Sequence, residues 1–354
     1  RDPMLSTLSS NVVLAKAHAM YGRRLTGQNY KDLLACHSVS EITAYLKNHT
    51  AYSQILSGIN ENDIHRGHLE VLLRQRIFED SAALCRYEIS VGEHFARYLL
   101  EKAEIEQIMH SITHLMAGSP EEYLFTLPSY LNRHSHIDLP ALARIRTFQE
   151  LLDALSHTPY RKVIERFRPI EGQPLDYFGI ENSLYQYLYS QLFATIQEHT
   201  HGQAREELED LFNVFADVEN YISIIRLKYN YHSGPDFIKS SLLPFGTLKP
   251  RHIDAMLEAD TPEQTRAELE KASVGKKLRK LNLEADLLST QAEYAVSKRY
   301  MRFSTHPCVV MLSYMFIMQI ELHDLTNIIE GVRYQVPAAD IQEMLTVLNF
   351  PRKG

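Results

Sequence analysis

The chain has 354 residues, 23% of them charged, with a formal net charge of −7 and a pI near 6.2. That length suggests roughly two to three domains and a substantial core, and an acidic balance without a basic stripe excludes a nucleic-acid footprint. Three widely spaced cysteines (Cys36, Cys85 and Cys308), with no Cys-x-x-Cys pair, fit a reducing compartment and exclude a disulfide scaffold.

Glycine and proline number only 14 each. Long stretches of Leu, Ala, Glu, Gln, Arg and Met run without a breaker, and no Asn-Gly or Asp-Gly hairpin signal separates alternating runs. The expected fold class is therefore all-α. Arg1-Asp2-Pro3 ahead of Met4 reads as a cloning remnant, and no secretory signal pattern follows. Residues 5–22 form a first amphipathic helix, with Leu5, Leu8, Val12, Val13, Ala17 and Met20 near helical spacing. Short helices are expected at 29–35 and 41–49. A long helical region then covers 70–116, interrupted at Gly92 and ended by Gly118-Ser119-Pro120.

A second unit opens with short helices at 121–127, 139–145 and 148–155. It breaks at Pro169-Ile-Glu-Gly172-Gln-Pro174 and continues as long helices at 180–198 and 205–231. A third begins at Leu242-Leu-Pro244-Phe-Gly246-Thr-Leu248. Short helices at 252–258 and 262–271 precede long ones at 284–302 and 307–334, and a terminal helix covers 338–348. Each unit places small helices before long ones, giving expected domains at 4–118, 119–232 and 233–354. The most apolar run, Cys308 to Met318, is half the roughly twenty residues a membrane span requires, so it reads as a buried central helix.

Two motifs recur in the same order at intervals of roughly a hundred residues. Ser38-Val-Ser-Glu41, Thr147-Phe-Gln-Glu150 and Thr261-Pro-Glu-Gln264 read as helix-capping boxes. Pro262 sits at a first helical position, where its missing N–H costs nothing. Tyr52 and Tyr160 follow the first two boxes at nearly matching offsets, and the third box lacks a tyrosine. On the long helices, an acid is followed three residues later by an amide or a second acid: Glu104 and Gln107, Asp217 and Asn220, Glu321 and Asp324. Such a pair shares one helix face. It can be solvated, join an interhelical polar network, or line a common cavity where the units meet.

No other constellation carries chemistry. His110 and His114 share a helix face but lack the Glu of a metalloprotease signature, His134-Ser-His136 has Asp138 as its nearby acid, and no metal site is expected. His199-Thr-His201 ends a helix, where imidazolium suits the dipole. Cys36-His37 are adjacent in sequence, which is not how a thiolate and its base are arranged. No Gly-rich phosphate loop, dinucleotide fingerprint or nucleophile elbow is present, so neither a nucleotide site nor a cofactor is expected. Lys276-Lys277-Leu-Arg279-Lys280 is a short basic run, read as a solvated helix end, with an acidic partner or lipid headgroups as its alternative.

The third unit resembles a known family. Leu242-Leu-Pro244-Phe-Gly246-Thr-Leu248 is similar to the Pro-x-Gly-x-Leu turn of the C subunit of V-type ATPases and ATP synthases, called the d subunit in eukaryotic enzymes. Ser313 to Tyr334, containing Glu321-Leu-His-Asp324, resembles that family's C-terminal helix. Phe215-Ala-Asp217-Val-Glu-Asn220 running to Arg226-Leu-Lys228 resembles its middle copy, and Ile180-Glu181-Asn-Ser-Leu184-Tyr the start of the preceding helix. Asp324 stands where the family usually has Asn, Thr326 where Arg is frequent, and Glu104 to Gln107 is a faint first copy.

The resemblance implies three similar helical domains around a pseudo-threefold axis, forming a funnel. It implies a non-catalytic part of the central-stalk rotor, coupling ATP turnover to transport of H⁺ or Na⁺. The funnel would receive the rotor shaft, made of the D and F subunits, and the opposite face would rest on the membrane proteolipid ring, made of K/c subunits. The chain itself would be peripheral, on the cytoplasmic side, and monomeric when isolated. Pro244 and Gly246 would form a structural turn. Glu104, Gln107, Asp217, Asn220, Glu321 and Asp324 would line or brace the cavity, so that charge reversal at Asp217 or Glu321 weakens shaft binding while the fold persists. A generic helical scaffold and a helical metallohydrolase using His110 and His114 are the alternatives.

Overall fold

Thr26, Ser38, Asp138, Thr147, Asp176 and Thr261 each place a side-chain oxygen on a free N–H of the helix that follows, and so fix where it starts. The three boxes expected at Ser38, Thr147 and Thr261 all form, with one shared variation. Glu41, Glu150 and Gln264 reach past the cap residue itself and accept from the N–H one residue earlier, on His37, Arg146 and Asp260, at 2.7, 2.6 and 2.8 Å. The same geometry three times supports a repeated unit.

The computed structural model describes residues 3–118, 131, 134–279, 281 and 285–351, and among them no strand occurs. The helix expected at 121–127, and Lys280, lie outside the described residues. In chain order the helices are α1 (Pro3–Gly22), α2 (Gly27–Leu34), α3 (Val39–His49), α4 (Arg66–Tyr87) and α5 (Gly92–Ala117). Next come α6 (Leu139–Leu142), α7 (Phe148–Ala154), α8 (Tyr160–Ile164), α9 (Tyr177–His199) and α10 (Gly202–Ile225). The remainder are α11 (Pro235–Ser241), α12 (Pro250–Glu258), α13 (Pro262–Lys271), α14 (Ser273–Leu278), α15 (Ala285–Phe303), α16 (Pro307–Arg333), α17 (Ala338–Glu343) and α18 (Thr346–Asn349).

The long region around Gly92 divides into α4 and α5. The Glu88 carboxylate accepts from the N–H groups of Ser90 and Val91, and Gly92 packs so closely on the Cys85 carbonyl that a Cβ would lie 1.9 Å from it. The terminal helix also divides, because the N–H groups of Thr346 and Val347 leave the helical pattern to bind Asp324. Helices α8, α11 and α14 are too short to show a clear apolar period. Helix α10 passes into a π turn at Arg226–Asn230, a form common at functional sites.

The core is built around α16, which packs against α15, α4 and α1 and also meets α10, α2 and α3. It is long and apolar enough to cross a membrane by length and composition, yet its run from Cys308 to Met318 is buried among the other helices. Phe316 joins Phe212 and Phe215 in edge-to-face contacts at 5.6 and 4.9 Å, tying α16 to α10.

Candidate functional site

The six repeated polar residues are at most 5% exposed. Each motif acid fastens its long helix to a neighbouring set of short helices. Glu321 on α16 accepts from the Leu25 N–H at 2.8 Å and the Tyr52 hydroxyl at 2.8 Å. Glu104 on α5 accepts from the Ser135 hydroxyl at 2.6 Å and the Tyr160 hydroxyl at 2.5 Å, and Ser135 in turn accepts from the Ile137 N–H. Asp217 on α10 accepts from the N–H groups of Thr247 and Leu248 at 2.7 and 3.0 Å and from the Thr247 hydroxyl at 2.6 Å. Leu25, Ile137 and Leu248 each stand just before a helix cap, so the three acids reach corresponding points.

The tyrosines at matching offsets thus have one job: Tyr52 and Tyr160 each hold a glutamate. The third copy lacks the tyrosine, and there the acid is the shorter aspartate, which the turn wraps directly. Gly246 makes this possible. Its φ is +100°, and a Cβ there would lie 2.1 Å from an Asp217 oxygen. Asn220 completes the wrap, accepting from the Leu243 N–H at 2.7 Å and donating to the carbonyls of Leu243 and Phe245. Pro244 lies within this same turn. Asp324 secures the terminal segment through Thr346 and Val347 at 2.8 and 2.9 Å. Burial pushes the Asp217 and Glu321 carboxyls up, and the donors around each pull back.

Residues two positions before and after each acid lie on the opposite side of the helix, and they line a set of adjoining openings, together called the cavity. They are Lys102 and Glu106 on α5, Phe215 and Glu219 on α10, and Gln319 and His323 on α16. One chamber of about 250 Å³ is bounded by α5, α9, α10, α15 and α16. A second of about 260 Å³ shares Lys102 and Glu293 with the first, and a third of about 340 Å³ opens between α4, α5 and α9. Of the six repeated polar residues, Gln107 alone borders these openings.

The cavity walls are aromatic and charged. Arg74 pairs with Glu106 at 3.4 Å, and Arg226 pairs with Glu181 at 3.6 Å while lying over the Phe178 ring. Lys228, from the same π turn, donates to the carbonyls of Met256, Leu257 and Ala259 and so caps α12. Glu219 accepts from Ser289 at 2.8 Å. Burial pushes the Glu293 carboxyl up to about 7, with Lys102 working against the shift and Glu219 adding to it. Burial opposes the Lys102 charge, but Tyr98, Glu293, Glu106 and Glu219 outweigh it and hold the ammonium well above the usual lysine range. Sequence reasoning missed these inward residues because they differ from copy to copy. The signal was their fixed offset from the repeated acids.

The remaining candidates have structural surroundings. Among the described residues no group of three or more His, Cys, Asp or Glu is placed to hold a metal. The His110 and His114 rings meet edge to face at 5.9 Å, and His199 stacks on His94 at 4.0 Å. In His134-Ser-His136 it is the serine that matters, through Glu104. The Cys36 thiol donates to the Asp32 carbonyl, and burial pushes it up to about 11. Lys277, in the basic run, pairs with Asp210 on α10, while Lys276 and Arg279 are exposed.

Residues 13–344 match the family described as ATP synthase (C/AC39) subunit. The C subunit of an A-type ATP synthase from Thermococcus gammatolerans is 28% identical over 284 residues, covering 77% of this chain and 71% of that one. Its counterpart from Desulfurococcus sp. (strain SY) is 23% identical over 338 residues, covering 93% and 88%. That from Methanosarcina acetivorans is 32% identical over 178 residues, covering 49% and 42%.

Proposed function

The chain belongs to the ATP synthase (C/AC39) subunit family, and we propose from that premise that it is a non-catalytic part of the central stalk. In this reading the central cavity is the socket for the end of the rotor shaft, the D and F subunits. The opposite face rests on the proteolipid ring, which holds the chain at the cytoplasmic side of the membrane. Torque then passes through the chain between ATP turnover and movement of H⁺ or Na⁺.

The observation that carries this reading is the pairing of a cavity with braces. Long helices α4, α5, α9, α10, α15 and α16 wall the openings, and three of them are pinned from behind by buried carboxylates. A coupler must bear load without deforming, and a fully satisfied buried polar network gives that stiffness. A polar, aromatic socket also suits a joint assembled from separately soluble parts, since a large exposed apolar cavity invites aggregation. We assign Gln107 and the inward residues to the shaft contact. Glu104, Asp217, Asn220, Glu321 and Asp324 set the socket's shape.

The same bonds suggest how the chain divides. One group runs from α5 to α9 and a second from α10 to α15. The third joins α16 to α2–α4, and so unites the two ends of the chain. Divisions near residues 118 and 232 then fall within groups, at the turn from long helix to short ones.

The test is capture of purified D–F by the wild type and by Glu219→Lys, with circular dichroism as a check on folding. The variant is expected to keep its helical signal and to lose at least tenfold in affinity. Unchanged capture would remove the cavity as the socket. ATP-driven ion pumping by the complex, assembled with and without this chain, tests the coupling role itself.

A further inference from the structure

The charges facing the cavity do not balance once their contacts are taken in turn. Arg74 is taken by Glu106 and Arg226 by Glu181, and Glu70 lies against Arg66 at 3.8 Å. The charges left on the wall of the first chamber are Lys102 from α5, Glu219 from α10 and Glu293 from α15, and of these Lys102 and Glu293 also face the second. One ammonium therefore faces two carboxylates in a partly enclosed space, where like charges resist ionising together. The other titratable groups at this wall are the phenols of Tyr98, Tyr185 and Tyr189 and, at the second opening, His323. The phenols carry no charge near neutrality.

We propose that the socket is built for a positively charged end, and that seating it expels a proton from Glu293. This rests on the reading of the cavity as the shaft socket and adds the chemistry of what enters it. In the empty chain the Glu293 carboxyl holds the proton, which lowers its repulsion with Glu219. An arriving Lys or Arg takes the proton's place: the carboxyl O–H breaks, its proton passes to solvent, and the carboxylate pairs with the new cation. The rings of Tyr98 and Phe215 on the same wall suit such an occupant, because a cation is stabilised beside aromatic faces. Burial has already pushed the Glu293 carboxyl up to about 7, so the exchange falls in the physiological range. The joint is then proton-linked, and its affinity rises with pH.

The experiment is calorimetric titration of the D–F pair into the full chain between pH 6 and pH 8, in two buffers of different ionisation enthalpy. Affinity should increase about tenfold over that range, as expected when only the ionised form of a group titrating near 7 accepts the ligand. Close to half a proton should be released at pH 7. Glu293→Gln should flatten both signals while leaving His323 in place, so pH dependence that survives in this variant does not come from Glu293 and overturns the proposal. Glu219→Gln provides a second reading that does not depend on Glu293→Gln folding: removing the like charge should move the midpoint to lower pH. Binding with no pH dependence, or without proton release, overturns the inference and leaves the socket intact. No binding at any pH overturns the socket reading, and the inference falls with it.

Discussion

The two faces of α5, α10 and α16 differ in what they repeat. The outward face carries an acid at the same place in all three helices, and each acid is buried and held by donors that include one from the segment just ahead of a short helix. The inward face, only two residues away, carries Lys102, Phe215 and Gln319 at one level and Glu106, Glu219 and His323 at the next. Repetition marks what every unit needs in order to stand. Divergence, under the proposed function, marks the surface that meets a partner without threefold symmetry. A search for function among the repeated residues therefore finds the scaffold first.

The outward face is the place to break this contrast by force. Glu321→Ala removes the acceptor for the Leu25 N–H and the Tyr52 hydroxyl, both buried, and should cost about 3 kcal/mol as two donors are left without partners. Denaturant unfolding would measure it, and hydrogen exchange should show protection lost first across residues 25–52. A loss under about 1 kcal/mol would mean the clasp is not a brace. Gly246→Ala should come next, at about 2 kcal/mol, because the new methyl meets Asp217 in a backbone region that side chains rarely adopt. Tyr160→Phe should cost about 1 kcal/mol, as one hydroxyl donor leaves while Ser135 still holds Glu104. All three should leave the inward residues chemically unchanged, so any loss of shaft affinity should track the loss of stability.

Much of the scaffold was legible in the sequence because it is local. Ser38, Thr147 and Thr261 announce their helices through residues three positions on, and the motif acids stand at corresponding points of successive units. The breaks that escaped depend on distant partners. The terminal helix divides at Leu345 because Asp324, on another helix, claims the N–H groups of Thr346 and Val347. Tyr52 and Tyr160 were visible as a pattern, but the carboxylates they serve lie on helices far away in the chain. The cavity was the least legible part. Lys102, Glu219 and Glu293 come from three separate helices, resemble nothing in one another's flanks, and acquire meaning only when packing brings them to one wall.

Glu293 offers the smallest perturbation and the one that sharpens the contrast best, because it acts on the inward face with no brace disturbed. Burial raises its carboxyl from an ordinary value of 4.5 to about 7. A group whose acid form is favoured by folding contributes fully below the unfolded value, and that contribution is lost as pH rises through the folded one. Glutamine imitates the neutral acid at every pH. Glu293→Gln should therefore match the wild type near pH 4 and gain on it between about pH 4.5 and 7. Above that it should hold a constant advantage of about 1 kcal/mol, a figure reduced for the cavity's contact with solvent. Denaturant midpoints at pH 4, 6 and 8 would decide it. Equal midpoints at all three would show that Lys102 neutralises Glu293 completely, whereas the expected divergence means that the ionised Glu293 is not fully compensated in the chain by itself, as a site awaiting a cation requires. A brace variant loses stability and affinity together; this one should gain stability as it loses the pH response of binding, and that opposition separates the two faces experimentally.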